Sequence, residues 1–175
     1  MGVWEKRSPF TALAQMQIQA SGTGECQMTE KLIAKPNESE SLSGTEFEVL
    51  MSAEINAIGP VVAWVMRLLG ELDYSAGKEF QIELALQEAL ANAVLHGCKA
   101  DPTKKIECRV TADKDRGILI VVRDPGPGFD VASLPSPIER QNLFSEHGRG
   151  VYLISRLMDE VKYEHNGSEI QMRKF

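Results

Sequence analysis

The chain has 175 residues, the length of one ordinary domain with or without a tail. Hydrophobic residues make up 43% and charged residues 25%, which excludes a largely disordered chain and allows a core without disulfides or structural metal. Nineteen Lys and Arg against 25 Asp and Glu leave a formal charge of −6, and with no long basic run the chain is a poor non-specific nucleic-acid binder.

Cys26, Cys98 and Cys108 are odd in number and lack pairing spacing, which argues against a disulfide framework. No CxxC or Cys/His cluster suggests zinc. The longest apolar stretch, Ile58 to Leu72, is interrupted by Gly59, Pro60, Arg67, Gly70 and Glu71 and is too short to span a membrane. The residues after Lys6 and Arg7 are too polar for a signal-peptide core. The expectation is a cytoplasmic chain with no membrane partner.

In chain order, residues 1–44 are rich in Ser, Thr, Gly, Gln and Glu, and 39–44 reads as a linker. They are expected to form an N-terminal extension, a flexible arm; a short added strand or a segment packed on a partner is the alternative. Phe47 to Ser52 reads as a strand, and Ala57 to Leu72 as a helix through Val61, Val62, Val65, Leu68 and Leu69. A second helix is expected from Lys78 to His96, closed by Gly97 as a C-cap. Strands over 106–111 and 117–122 flank a turn, and a Pro/Gly loop follows from Asp124 to Pro137. A third helix is expected from Gly148 to Met158, then strands over 161–164 and 169–173 joined by Asn166 and Gly167. This order predicts an α+β two-layer sandwich: a mixed, mostly antiparallel sheet with helices on one face.

Three segments carry residues suited to chemistry. Glu88, Asn92 and His96 are spaced i, i+4, i+8, with Leu86 and Leu90 nearly opposite, facing the core. A solvated polar face is one reading. The other is a site, because a carboxylate, an amide and an imidazole offer a base, a magnesium ligand and a phosphate contact. Second, a strand ends at Asp124, and Gly126 and Gly128 alternate with prolines. This is either a rigid turn or a backbone brought close to a flat ligand, whose exocyclic amine would donate to the carboxylate. Third, Gly148 and Gly150 open a helix, where free N–H groups and the helix dipole suit an anion. Neither a Walker loop nor a complete Rossmann fingerprint is present.

Together the segments read E-x-x-x-N-x-x-x-H-G, then D-x-G-x-G, then G-x-G at a helix start. That order resembles the ATP-binding fold shared by gyrase, the related heat-shock chaperone, histidine kinases and MutL. Over residues 45–175 it most resembles the anti-sigma-factor serine/threonine kinases of bacterial partner switching. The resemblance implies ATP and magnesium as cofactors, Asn92 as metal ligand and Glu88 as general base for an attacking serine hydroxyl. It implies Asp124, Gly126 and Gly128 around adenine, Gly148 and Gly150 at the phosphates, and His96 beside them. Ser168 falls where the family often has a Thr near adenine, and Arg149 is placed to meet the γ-phosphate.

The implied partners are an anti-anti-sigma (STAS) protein as substrate, a sigma factor as the sequestered target, and a second copy in a homodimer. The dimer interface is expected at the first strand and helix, on exposed apolar residues of 47–69, with no direct nucleic-acid contact. The lid between Asp130 and His147 is short, with Pro135, Pro137 and Arg140. Two alternatives stand: a nucleotide-binding module that sequesters a partner without kinase activity, and a detached catalytic domain serving a histidine phosphodonor.

Overall fold

The computed structural model describes residues 12–20, 26–34, 45–129 and 146–175, with side chains from 45 onward except at 146–148. Its strands are β1 (Ala12–Ala20), β2 (Cys26–Ala34), β3 (Thr45–Ser52), β4 (Lys105–Asp113), β5 (Gly117–Arg123), β6 (Glu160–Glu164) and β7 (Glu169–Lys174). Its α-helices are α1 (Ile55–Glu71), α2 (Glu79–Asn92) and α3 (Glu146–Leu157). The strands form one sheet in the order β2-β1-β3-β4-β5-β7-β6. Every neighbouring pair is antiparallel except β1 and β3, which run parallel.

The sheet's inner face follows from strand alternation. Phe47, Val49 and Met51 on β3, Ile106, Cys108 and Val110 on β4, Ile118, Ile120 and Val122 on β5, and Ile170 and Met172 on β7 are all buried. Register places Val49, Cys108, Val122 and Ile170 in one row across four strands. The helices cover this row. Leu86 and Leu90 of α2 are fully buried as expected, each contributing roughly 1.5–3 kcal/mol through removal from water. On the opposite face of the sheet, half-exposed Arg109 pairs with Glu46 and Glu107.

Residues 1–44, expected as a flexible extension, supply β1 and β2, a hairpin that extends the sheet beyond β3. This matches the added-strand alternative in kind. The apolar residues of 47–69, expected to be exposed at a dimer interface, are mostly core. Phe47, Val49, Met51, Ile58, Val61, Val62, Trp64, Val65 and Leu69 are buried, and only Ile55 among the large ones is well exposed. The α1 period is that of a helix packed on a sheet, so the same residues satisfy the core.

The second helix also departs from expectation. Its α-helical part ends at Asn92, and Ala93–Gly97 form a π turn in which the Cys98 N–H donates to the Ala93 carbonyl at 2.8 Å. Gly97 is not left-handed and so is not the expected glycine C-cap; the positive-φ residues there are Lys99 and Ala100. The last hairpin turns through three left-handed residues, His165, Asn166 and Gly167. Cys98 and Cys108 are free and buried. No helix among the described residues is long and apolar enough to cross a membrane.

Candidate functional site

Asp124 is placed by the register of the sheet. Ile118, Ile120 and Val122 face the core, so the next residue of that parity faces the same side, just past the end of β5. Its backbone N–H donates to the Ser168 carbonyl at 3.0 Å, which ties the strand end to the start of β7. Its Oδ1 accepts the Gly126 N–H at 2.7 Å. Partial burial raises the carboxyl's pKa; the Gly126 N–H and the nearby Lys104 ammonium oppose that rise. The Ser168 hydroxyl donates to the His165 carbonyl at 2.9 Å, so it is Ser168's carbonyl that holds Asp124.

The loop after Asp124 is seated on the last hairpin. The Phe129 N–H donates to the Asn166 carbonyl at 2.8 Å. Gly128 has φ +72, and a Cβ there would overlap the Asn166 carbonyl, so glycine is required twice over. The Phe129 ring packs edge-on against Tyr163, with centroids 5.4 Å apart. Burial pushes the Tyr163 phenol up to about 12. An open cleft of about 720 Å³ lies between this loop and the hairpin, lined in part by Gly128, Phe129, Tyr163 and Asn166. Among the described residues its lining includes neither Asp124 nor Glu88 nor Asn92.

At the other end of the site, Glu88 and Asn92 come up against α3. Both are half-buried, and Gly150 is buried between them and the body of α3. A Cβ on Gly150 would stand 2.9 Å from Glu88 Oε2 and 3.2 Å from Asn92 Nδ2. The helix starts at Glu146 rather than at Gly148 as expected, so Gly150 is its fifth residue; the missing side chain there brings α3 against the carboxylate and amide, with the first turn and its free N–H groups just before the contact. Gly148 is in that same first turn, and Arg149 is exposed beside it. Oxygen donors on Glu88 and Asn92 beside such a cradle fit magnesium, a hard cation that keeps waters and phosphate oxygens as its remaining ligands.

His96 lies in the π turn that follows Asn92 and is exposed. The lid residues Pro135, Pro137 and Arg140, and the side chain of His147, lie outside the described residues.

Sequence reasoning missed two neighbours of Asp124. Gly97 lies against its carboxylate, and Lys104 acts on its charge from the loop before β4. Gly97 carries a signal, since it ends the E-x-x-x-N-x-x-x-H-G motif, but a glycine after a helix reads equally as a cap. Nothing local marks Lys104.

The helix-layered sheet, the acidic residue at the end of β5 and the glycine of α3 packed over a Glu–Asn pair define an ATP-using domain. Residues 51–174 match the family described as "Histidine kinase-like ATPase domain", and the chain belongs to that family. Within it, the chain is similar to the serine-protein kinase RsbW of Bacillus licheniformis, 31% identical over 73% of this chain and 84% of the relative. The RsbW of Bacillus subtilis strain 168 is 27% identical over the same shares. That of Staphylococcus aureus strain JH9 is 35% identical over 53% of this chain and 63% of the relative. The chain is an RsbW-like protein serine kinase of this ATPase family.

Proposed function

We propose that this chain binds Mg-ATP and transfers the γ-phosphoryl group to a serine on a STAS-type anti-anti-sigma protein, and that it sequesters a sigma factor when that antagonist is phosphorylated. The observation that carries the reading is the meeting of Glu88 and Asn92 with Gly150, one turn into α3. It sets a carboxylate and an amide oxygen beside the N-terminal part of α3, while Asp124 lies against Gly97, just beyond the C-terminal end of α2.

In this reading Asp124 accepts a hydrogen bond from the adenine amine, with Gly126 and Gly128 letting the backbone approach the ring. The α3 N-terminus, with Gly148 and Gly150 and with Arg149 beside it, holds phosphate oxygens. Asn92 holds the magnesium ion, which supplies neutralisation of phosphate charge. Glu88 takes the proton of the serine hydroxyl as that oxygen attacks the γ-phosphorus, and the leaving oxygen departs on ADP. In the same reading His96 serves the phosphates and Ser168 lies beside adenine. The chain works as a cytoplasmic homodimer and makes no direct contact with nucleic acid.

The test is incubation of the full chain with Mg-ATP and a STAS partner, followed by acid-stable phosphoserine detection. Phosphate lost on Ser→Ala replacement in the partner supports serine transfer. Acid-labile phosphate surviving that replacement points instead to a histidine phosphodonor. Tight Mg-ATP binding and partner capture without any transfer supports pure sequestration.

A further inference from the structure

Gly97 supplies space, not backbone freedom. It lies in the π turn of α2's C-terminal end and is absent from the residues with positive φ. A Cβ placed on it would stand 2.5 Å from Asp124 Oδ2 and closer still to Cγ and Oδ1. Its carbonyl oxygen lies against Gly126, where a Cβ would overlap it, and Gly126 is the residue whose N–H donates to Asp124 Oδ1 at 2.7 Å. The carboxylate is thus held on one side by the Gly126 amide and seated on the other against the bare Cα of Gly97. The π turn is what delivers that Cα, since it places Gly97 off the α-helical period followed up to Asn92.

We propose that Gly97 is a specificity-determining positioning residue. By lacking a side chain it fixes the Asp124 carboxylate at the angle that selects a purine bearing a ring amine over one bearing a ring carbonyl. The inference rests on the reading of Asp124 as acceptor for that amine. An ionised carboxylate only accepts hydrogen bonds, so an amine donor satisfies it and a carbonyl oxygen repels it. The discrimination depends on the carboxylate's direction, and the seat at Gly97 sets that direction.

The experiment is calorimetric titration of the full chain with ATP and with inosine triphosphate, which carries oxygen where adenine carries the amine. The variants are Gly97→Val, Gly97→Ala, Asp124→Ala and the double variant Gly97→Val/Asp124→Ala, each checked by circular dichroism. Wild type is expected to prefer ATP by about tenfold or more, the worth of a hydrogen bond to a charged group. In Gly97→Val the preference falls to within about threefold. In the Asp124→Ala background the valine changes the ratio no further, because its target is gone. A loss of folded protein lowers both affinities alike and leaves their ratio standing, so the ratio separates positioning from stability. Should Gly97→Val fail to fold, Gly97→Ala decides. An undiminished preference in the folded glycine variant overturns the role of Gly97. A wild type without preference, unchanged by Asp124→Ala, overturns the reading of Asp124 itself and the inference with it.

Discussion

Gly150 of α3 and Glu88 of α2 face each other so closely that a Cβ on the glycine would stand 2.9 Å from the glutamate's Oε2. The carboxylate is half-buried at that contact, on the same side of α2 as Asn92. Helix packing alone would favour a larger residue than glycine there. The contact instead brings α3, one turn from its N-terminus, onto two oxygen-bearing side chains. A base near a helix N-terminus is suited to a serine hydroxyl attacking a phosphate held by that terminus.

If Glu88 is the base, Glu88→Gln lowers phosphoryl transfer to the partner by about 10²- to 10⁴-fold, the usual worth of a positioned general base. Its affinity for Mg-ATP stays within about twofold, because the amide is isosteric and the nucleotide does not need the charge. Single-turnover transfer of radiolabelled phosphate measures the first quantity and calorimetry the second. Full transfer by Glu88→Gln removes Glu88 from the catalytic role.

Asn92→Ala separates metal binding from base recognition. The variant is expected to lose the magnesium-dependent part of ATP affinity while keeping whatever affinity survives in chelator. Wild type and variant then bind ATP alike without magnesium and differ by about tenfold or more with it. Titrations in magnesium and in EDTA give all four values. A magnesium effect of equal size in both proteins assigns the metal to other ligands.

Asp124 presents the opposite trade between binding and stability. Burial raises its folded-state pKa above the ordinary carboxylate value, so the unfolded chain releases this proton first as pH rises. Stability from this group is therefore greatest at acid pH and is lost as pH climbs through the raised pKa. Above it, a charged Asp124 strains the empty site. Asp124→Asn is expected to raise the thermal midpoint of the ligand-free protein at pH 7 by about 1–4 °C, with the gain vanishing near pH 3. The same substitution weakens ATP binding. Melting curves across pH check the sign, and a variant less stable than wild type at pH 7 contradicts it.

How much of this was legible in the sequence differs from element to element. The alternation of β3, β4, β5 and β7 and the apolar side of α2 gave the sheet, its helix-covered face and the inward parity of Asp124. The hairpin of β1 and β2 was also written in the sequence. Ala14, Met16, Ile18 and Ala20 alternate with Gln15, Gln17 and Gln19, a period-2 pattern hidden by a polar composition that invites the reading of a linker. The π turn was not legible. Nothing in Ala93–Gly97 distinguishes an α from a π turn locally; the wider turn is fixed by where Gly97 meets Asp124, a contact between residues 27 positions apart. That one turn accounts for the departure at this end of α2, the glycine that is not a cap.

Gly128 and Gly70 make a pair in which the same substitution has opposite signs. Gly128 sits at φ +72, and a Cβ on it would overlap the Asn166 carbonyl oxygen and approach its carbon to 2.8 Å. Both atoms are backbone, in a hairpin turn that also accepts the Phe129 N–H, so they do not give way without loosening that turn. Left-handed backbone and close approach together are expected to cost Gly128→Ala about 2–4 kcal/mol. Gly70 lies exposed in the last turn of α1 with no heavy atom within 4 Å of the position its Cβ would take. Gly70→Ala is expected to stabilise by about 0.5–1 kcal/mol, since alanine loses less backbone entropy in a helix. Urea unfolding of both variants against wild type measures the two changes on one scale. A neutral Gly128→Ala would mean that the loop does not rest on the last hairpin, and with it would fall the seating of the loop that follows Asp124.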